Sequence, residues 1–180
     1  DRNGNINCSY IFDNGQSAPE KLTTVNSSFL NNLEELTISL WFEPHDSSRN
    51  GGKYEILVSR GEGRSCPDRR GEWSLGLYDF RVPVFGHNNS VWADEIAEVN
   101  RWYHLEIVKK ADALAIYLDG TKRSETSGLA PCTNLYIAED KDALDIGSTF
   151  TGKMDDIIFL DRAITDGEVQ SIYNSLPCCE

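Results

Sequence analysis

From Leu36 to Glu43 the chain alternates strictly, with Leu36, Ile38, Leu40 and Phe42 on one side and Thr37, Ser39, Trp41 and Glu43 on the other. Successive strand side chains point to opposite faces, so this period of two predicts a half-buried strand. Pro44 closes it, and Asp46 to Gly52 reads as a loop. Further strands are expected at Cys8 to Asp13, Tyr54 to Arg60, Trp73 to Tyr78, Phe80 to Gly86 and Ser90 to Asp94. Asn100 to Lys109 sets Tyr103, Leu105 and Ile107 on one face, and Ala113 to Thr121 ends in Asp119-Gly120, a two-residue hairpin signal. Leu144 to Gly147 and Lys153 to Asp161 follow. In the last of these, alternation puts Asp155 on a face with Ile157 and Phe159, and Asp156 on a face with Met154, Ile158 and Leu160. The period then changes. Thr165 and Glu168 stand in capping-box spacing, and Val169, Ile172, Tyr173 and Leu176 follow at i, i+3, i+4 and i+7, which predicts a short helix stopped by Pro177. Many short alternating strands separated by Gly, Asn and Asp turns read as an all-β antiparallel sandwich of two sheets with one short C-terminal helix, in a single domain over residues 1–180.

Composition narrows the function classes. A hydrophobic content of 39% and a charged content of 26% over 180 residues are those of a globular domain with a real core. The net charge of −12 argues against non-specific nucleic-acid binding and adhesion to anionic membranes. No apolar run approaches the length that spans a bilayer, so no membrane insertion is expected. No signal peptide is visible, which reads as a mature chain or one cut to begin here. The five cysteines, Cys8, Cys66, Cys132, Cys178 and Cys179, lack the paired spacing of a zinc site. Together with N-x-[ST] sequons at Asn7, Asn26 and Asn88, they favour an oxidising, extracellular setting, secreted or on a cell surface.

Catalytic constellations are weak. Polysaccharide hydrolysis needs two carboxylates about 5 Å apart on one cleft wall, and neither Glu139, Asp140 and Asp142 nor Asp94, Glu95 and Glu98 has that spacing on a strand. His45, His87 and His104 fall in separate segments with no shared metal spacing, and no nucleophile elbow or phosphate loop is present. The expectation is a domain that binds rather than catalyses. Ser59 to Glu72 carries Arg60, Arg64, Arg69 and Arg70 around Cys66, a cationic loop whose guanidinium forks suit a sulfated or carboxylated ligand, unless Glu62, Asp68 and Glu72 neutralise it. Among the aromatics, Trp92 (beside Asp94 and after the Asn88-Asn89-Ser90 turn) and Tyr136 are the candidate sugar platforms, though a glycan on Asn88 would crowd Trp92.

Four segments carry a resemblance. Phe150-Thr-Gly-Lys-Met-Asp-Asp-Ile followed by Arg162-Ala-Ile, Asn100-Arg-Trp-Tyr-His-Leu, Ile116-Tyr-Leu-Asp-Gly, and Leu144-Asp-Ile-Gly stand in the order seen in laminin-G-like domains of the concanavalin A-like jelly-roll group. The likeness covers Leu36 to Pro44, Asn100 to Gly120 and Leu144 to Tyr173, while residues 1–30 and the arginine loop match nothing in that pattern. It implies a jelly-roll with Greek-key connections. It also implies a recognition or adhesion role toward a protein or a glycan, read by loops at the sandwich edge, with a lectin module as the alternative. Such domains often hold a structural Ca²⁺ between the paired-acid strand and the loop after the first strand, here Asp155 with Asp13 and Asn14. The alternative is that Asp155 caps backbone amides. Only Ser148 and Thr149 separate Gly147 from Phe150, which leaves no room for the acidic calcium loop of pentraxins. If the chain ends meet as in jelly-rolls, Cys8 would pair with Cys178 or Cys179, and Cys66 with Cys132. The leftover cysteine is free, linked to a neighbouring chain, or paired with an adjoining domain.

Overall fold

In the computed structural model the described residues are 1–5, 8–13, 20–24, 27–30, 33–45, 54–60, 73–79, 82–85, 91–93, 97–127, 144–147 and 149–175. They form β1 (Tyr10–Asp13), β2 (Leu22–Thr23), a 3-10 turn (Ser28–Leu30), β3 (Glu35–Pro44), β4 (Tyr54–Arg60), β5 (Trp73–Tyr78), β6 (Val82–Phe85), β7 (Val91–Trp92), β8 (Tyr103–Lys110), β9 (Ala113–Leu118), β10 (Thr121–Thr126), β11 (Leu144–Ile146), β12 (Thr151–Leu160) and α1 (Asp166–Tyr173). The strands make two antiparallel sheets, ordered β1-β12-β3-β8-β9-β10 and β2-β11-β4-β5-β6-β7. This is the expected jelly-roll sandwich. Strand pairing starts at Tyr10 rather than Cys8, and the expected strand over Asn100 to Lys109 begins at Tyr103, after Asn100 has turned the chain at φ 60°.

The core lies between the sheets. Leu36, Ile38, Leu40 and Phe42 of β3, with Leu105 and Ile107 of β8, meet Leu57, Trp73, Leu75 and Leu77 of the second sheet. The alternation of β3 therefore points its apolar side where expected. The other side is not solvated, however: Thr37, Ser39, Trp41 and Glu43 are all buried. Distant segments cover them: α1 lies across the outer face of the first sheet with Tyr173 on Trp41, Arg2 sits over the same ring, and Lys153 and His45 flank Glu43. Val169 of the helix is fully buried in a second apolar cluster with Val108, Ala115, Tyr117 and Ile164, a burial worth roughly 2 kcal/mol for that side chain. The capping box holds the helix start, with Thr165 Oγ1 accepting from the Glu168 amide and the Glu168 carboxylate accepting from the Thr165 amide at 2.8 Å. The helix ends at Tyr173, one turn short of the expected Leu176 (which lies outside the described residues), because Asn174 caps it.

The alternation in β12 is broken once. Asp155 pairs with Trp41 but Ile158 pairs with Ser39, so three residues of β12 span two of β3. Asp156 adopts φ 45°, a conformation aspartate tolerates better than most residues. This is a β-bulge, and it moves every later side chain to the opposite face. Met154, Ile157 and Phe159 consequently join the main core, while Asp155 shares the outer face with Trp41 and Ser39. The expected grouping of Asp155 with Ile157 and Phe159 is thus corrected by one inserted residue.

Candidate functional site

The outer face of the second sheet is built by a plain alternation. In Trp73-Ser-Leu-Gly-Leu-Tyr78, Trp73, Leu75 and Leu77 enter the core, which sends Ser74, Gly76 and Tyr78 outward. Tyr54 pairs with Tyr78 across β4 and β5, and Trp92 aligns with Gly76 through β6. A Cβ at Gly76 would stand 2.1 Å from the Glu55 carbonyl oxygen and 2.9 Å from the Tyr54 ring, so only glycine lets that ring lie against the strand. Beside it, Tyr78 and Trp92 place their ring centroids 5.3 Å apart with an interplanar angle of 84°. These rings are 39% and 43% exposed, whereas Trp41 and Trp73 are buried. An exposed tryptophan set edge-on to an exposed tyrosine offers apolar ring surface together with indole N–H and phenol O–H groups, the chemistry that recognises a polyhydroxylated ring.

The paired acids have a different environment. The Arg2 guanidinium hydrogen-bonds the Asp156 carboxylate, lies 3.9 Å from Asp155 Oδ2, donates to the Ser175 carbonyl at 2.9 Å and sits 4.3 Å over the Trp41 ring. Asp155 Oδ1 accepts from the Asp156 amide at 2.8 Å. Burial, and then the Asp156 charge, raise the Asp155 carboxyl above the usual carboxylate range. Asp13 is in register with Thr151, four residues from Asp155 along β12, or about 13 Å. Two ligands of one calcium ion must lie within roughly 5 Å of each other. The described residues therefore do not fit an ion shared by Asp13 and Asp155; Asp155 instead caps a bulge amide and faces a guanidinium. Among the described residues no three His, Cys, Asp or Glu side chains converge as metal ligands. We expect Asp155→Asn to leave any Ca²⁺-dependent rise in melting temperature unchanged; a rise with Ca²⁺ that Asp155→Asn abolishes would restore the metal reading.

Beneath α1 lies a third polar group. Ser39 Oγ is 2.9 Å from His104 Nε2, and the buried Glu106 carboxyl stands 3.9 Å from the same nitrogen. The order differs from a catalytic triad, in which the acid orients the opposite ring nitrogen; here His104 Nδ1 is buried without a hydrogen-bond partner. Burial pushes the Glu106 carboxyl up to about 8, partly offset by the Ser39 hydroxyl. Burial, and then the Arg2 charge, push His104 down to about 4.

Of the residues singled out in the sequence, Trp92 is exposed and Asp13 and Asp155 are separated. Cys8 is half-buried and makes no disulfide among the described residues. Arg60, at the start of the arginine loop, is buried and donates to Ser27 Oγ at 2.9 Å and the Leu30 carbonyl, so it forms no part of a surface patch. Arg64, Arg69, Arg70, Tyr136, Asn14, Cys66, Cys132, Cys178, Asn7, Asn26 and Asn88 lie outside the described residues. Sequence reasoning overlooked Tyr78 and Arg2. The alternation of β5 carried the signal for Tyr78, but nothing near Arg2 in the chain pointed to its partners some 154 positions away.

The fold is shared with several solved structures of low sequence identity. The SAP-like pentraxin from Limulus polyphemus superposes with a TM-score of 0.66 at 15% identity, covering 91% of this chain and 80% of that one. The CBM40 module of the Ruminococcus gnavus IT-sialidase, bound to α2,3-sialyllactose, gives 0.62 at 10% identity, covering 85% and 98%. The binding domain of botulinum neurotoxin serotype D gives 0.66 at 12% identity, covering 87% of this chain but spanning only 40% of that domain. No curated protein matches the sequence significantly. A family profile does match, over residues 14–170 and so across most of both sheets and into α1. The chain belongs to the concanavalin A-like lectin/glucanases superfamily.

Proposed function

We propose that this protein is a non-catalytic extracellular binding domain that takes a glycan on the outer face of its second sheet, with Trp92 and Tyr78 as the contact surface. The observation that carries this reading is the exposure of that ring pair in a protein whose Trp41 and Trp73 are buried. The sialidase module of similar fold is itself a glycan-bound domain, which supports the same class of ligand. The sequons and scattered cysteines support the extracellular setting, and no helix among the described residues is long and apolar enough to cross a membrane.

On a glycan array, the wild-type protein is expected to be retained by a defined set of sugars, with retention lost in Trp92→Ala at an unchanged melting temperature. Repeating the array after enzymatic removal of N-glycans separates crowding by Asn88 from a failure to bind. If no sugar retains either form, the glycan reading falls.

A second reading, adhesion to a protein, has its own observation. β1 is an edge strand carrying Tyr10 and Ile11, which are 56% and 66% exposed, and the thiol of Cys8 stands two residues before it. An apolar edge strand accepts a strand from a partner, and the thiol suits a disulfide-linked neighbour. The opposite edge, β10, is blunted by Lys122, Arg123 and Glu125. A binding partner recovered by pull-down and lost on Ile11→Lys would favour this reading.

A further inference from the structure

We propose that the Trp92–Tyr78 surface reads the terminal residue of an uncharged glycan rather than an internal stretch of chain; this rests on the glycan-binding reading above. The argument is the angle between the rings. Sugar rings stack flat on aromatic faces, so a site that follows a flat, ribbon-like polysaccharide presents its aromatic faces in one plane, one after another. Here the planes meet at 84° with centroids 5.3 Å apart, which forms a corner instead of a track. A pyranose stacked on one ring of the pair meets the other ring as a wall along its rim, and a further residue on that side would run into that wall.

Local structure fixes the corner. Tyr78 is the last residue of β5, and Asp79 turns the chain immediately after it at φ 47°, in the left-handed region where aspartate is tolerated. Trp92 is the last residue of β7, which runs parallel to β5 because β6 is antiparallel to both. Both rings thus stand at the same end of the sheet. On the side away from the corner the Tyr54 ring lies against Gly76, and its hydroxyl is held by Ser74.

Charge selects among terminal residues. The protein carries a net charge of −12, and Asp79 adjoins Tyr78, so a sialylated or sulfated terminus meets repulsion that a neutral hexose or N-acetylhexosamine does not. 

The test is calorimetric titration of the whole domain with methyl glycosides of glucose, galactose, mannose, N-acetylglucosamine, sialic acid and 6-sulfated N-acetylglucosamine. The sugar that binds is then used in oligosaccharides of one to six units, and in a chain of the same units whose non-reducing end is capped by a different sugar. Affinity is expected to be flat, within about twofold, beyond the second unit, and to be lost when the end is capped. Tyr78→Ala and Trp92→Ala should each weaken it about tenfold or more, with melting temperature confirming that both variants fold. Affinity that climbs with every added unit, or survives capping, overturns the terminal reading and leaves the glycan-binding one. Preference for a sialylated or sulfated terminus overturns the uncharged part. No binding by any probe overturns both readings.

Discussion

Replacing Arg2 with alanine lowers the unfolding free energy by about 3 kcal/mol. The magnitude follows from what the substitution leaves behind. The Arg2 side chain is only 7% exposed, and its carboxylate neighbours Asp155 and Asp156 are 10% and 9% exposed. Two adjacent carboxylates in that setting repel each other, and without the guanidinium one of them must take a proton or draw in water. The variant also loses the hydrogen bond to the Ser175 carbonyl and the stack over Trp41. Urea titration measures the change directly. Adding Asp155→Asn to Arg2→Ala removes the orphaned charge and should recover part of the loss, a sign of coupling that two independent sites would not show. A single-variant change smaller than about 0.5 kcal/mol, the range of ordinary surface substitutions, would show that Arg2 is not a structural clamp.

The stability of the wild-type protein against pH should show a plateau between about pH 4.5 and 6.5 with a fall on both sides, as far as the His104–Glu106 pair governs it. Glu106 is raised from 4.5 to about 8 by burial. Its unfolded form releases its proton at lower pH than its folded form, so its contribution is complete below 4.5 and is lost as pH rises through 8. His104 is lowered from 6.5 to about 4. Its contribution is complete above 6.5 and is lost as pH falls through 4. Between 4.5 and 6.5 the two slopes oppose each other. Above 6.5 only Glu106 acts, and the loss to pH 8 is on the order of 2 kcal/mol. Glu106→Gln should flatten this alkaline limb whatever its effect on absolute stability. An unchanged limb in Glu106→Gln would mean that the carboxyl is not held neutral under α1. Arg2, Asp156 and Ser39 surround the pair and shape its acid limb, so the alkaline limb is the cleaner reading.

The sandwich was legible because its evidence is local. Alternation in β3, β5 and β8 and the Asp119-Gly120 hairpin are written within a few residues, and the capping box of α1 within four. Whatever depended on distant pairing was not legible. β3 reads as half-buried because its polar side shows Thr37, Ser39 and Glu43, and only tertiary partners, the Arg162 carbonyl, His104 and Lys153, account for their burial. The bulge at Asp156 defeats alternation since one inserted residue leaves no mark on composition. Distant pairing also decides what stands beside Asp155: the resemblance links it to Asp13, while the group that reaches it is Arg2, eleven residues before Asp13 in an unpatterned stretch. Trp92 was legible as a candidate, but its ring partner Tyr78 needed the face assignment of β5 to be followed to its last residue.

The place of β12 has a consequence for how the chain is made. It lies between β1 and β3 in the first sheet, although it is synthesised after both. Until it emerges from the ribosome, β3 has an open edge, and α1 is not yet there to cover the strand's outer side. A nascent chain that ends near residue 150 thus exposes the hydrogen-bonding groups of its central strand, flanked by side chains meant for burial on both faces. That is the profile of an aggregation-prone intermediate. Closure of the sheet, and of the Arg2 clamp over it, waits for the last sixth of the chain, so premature termination there should cost solubility far more than the number of missing residues suggests.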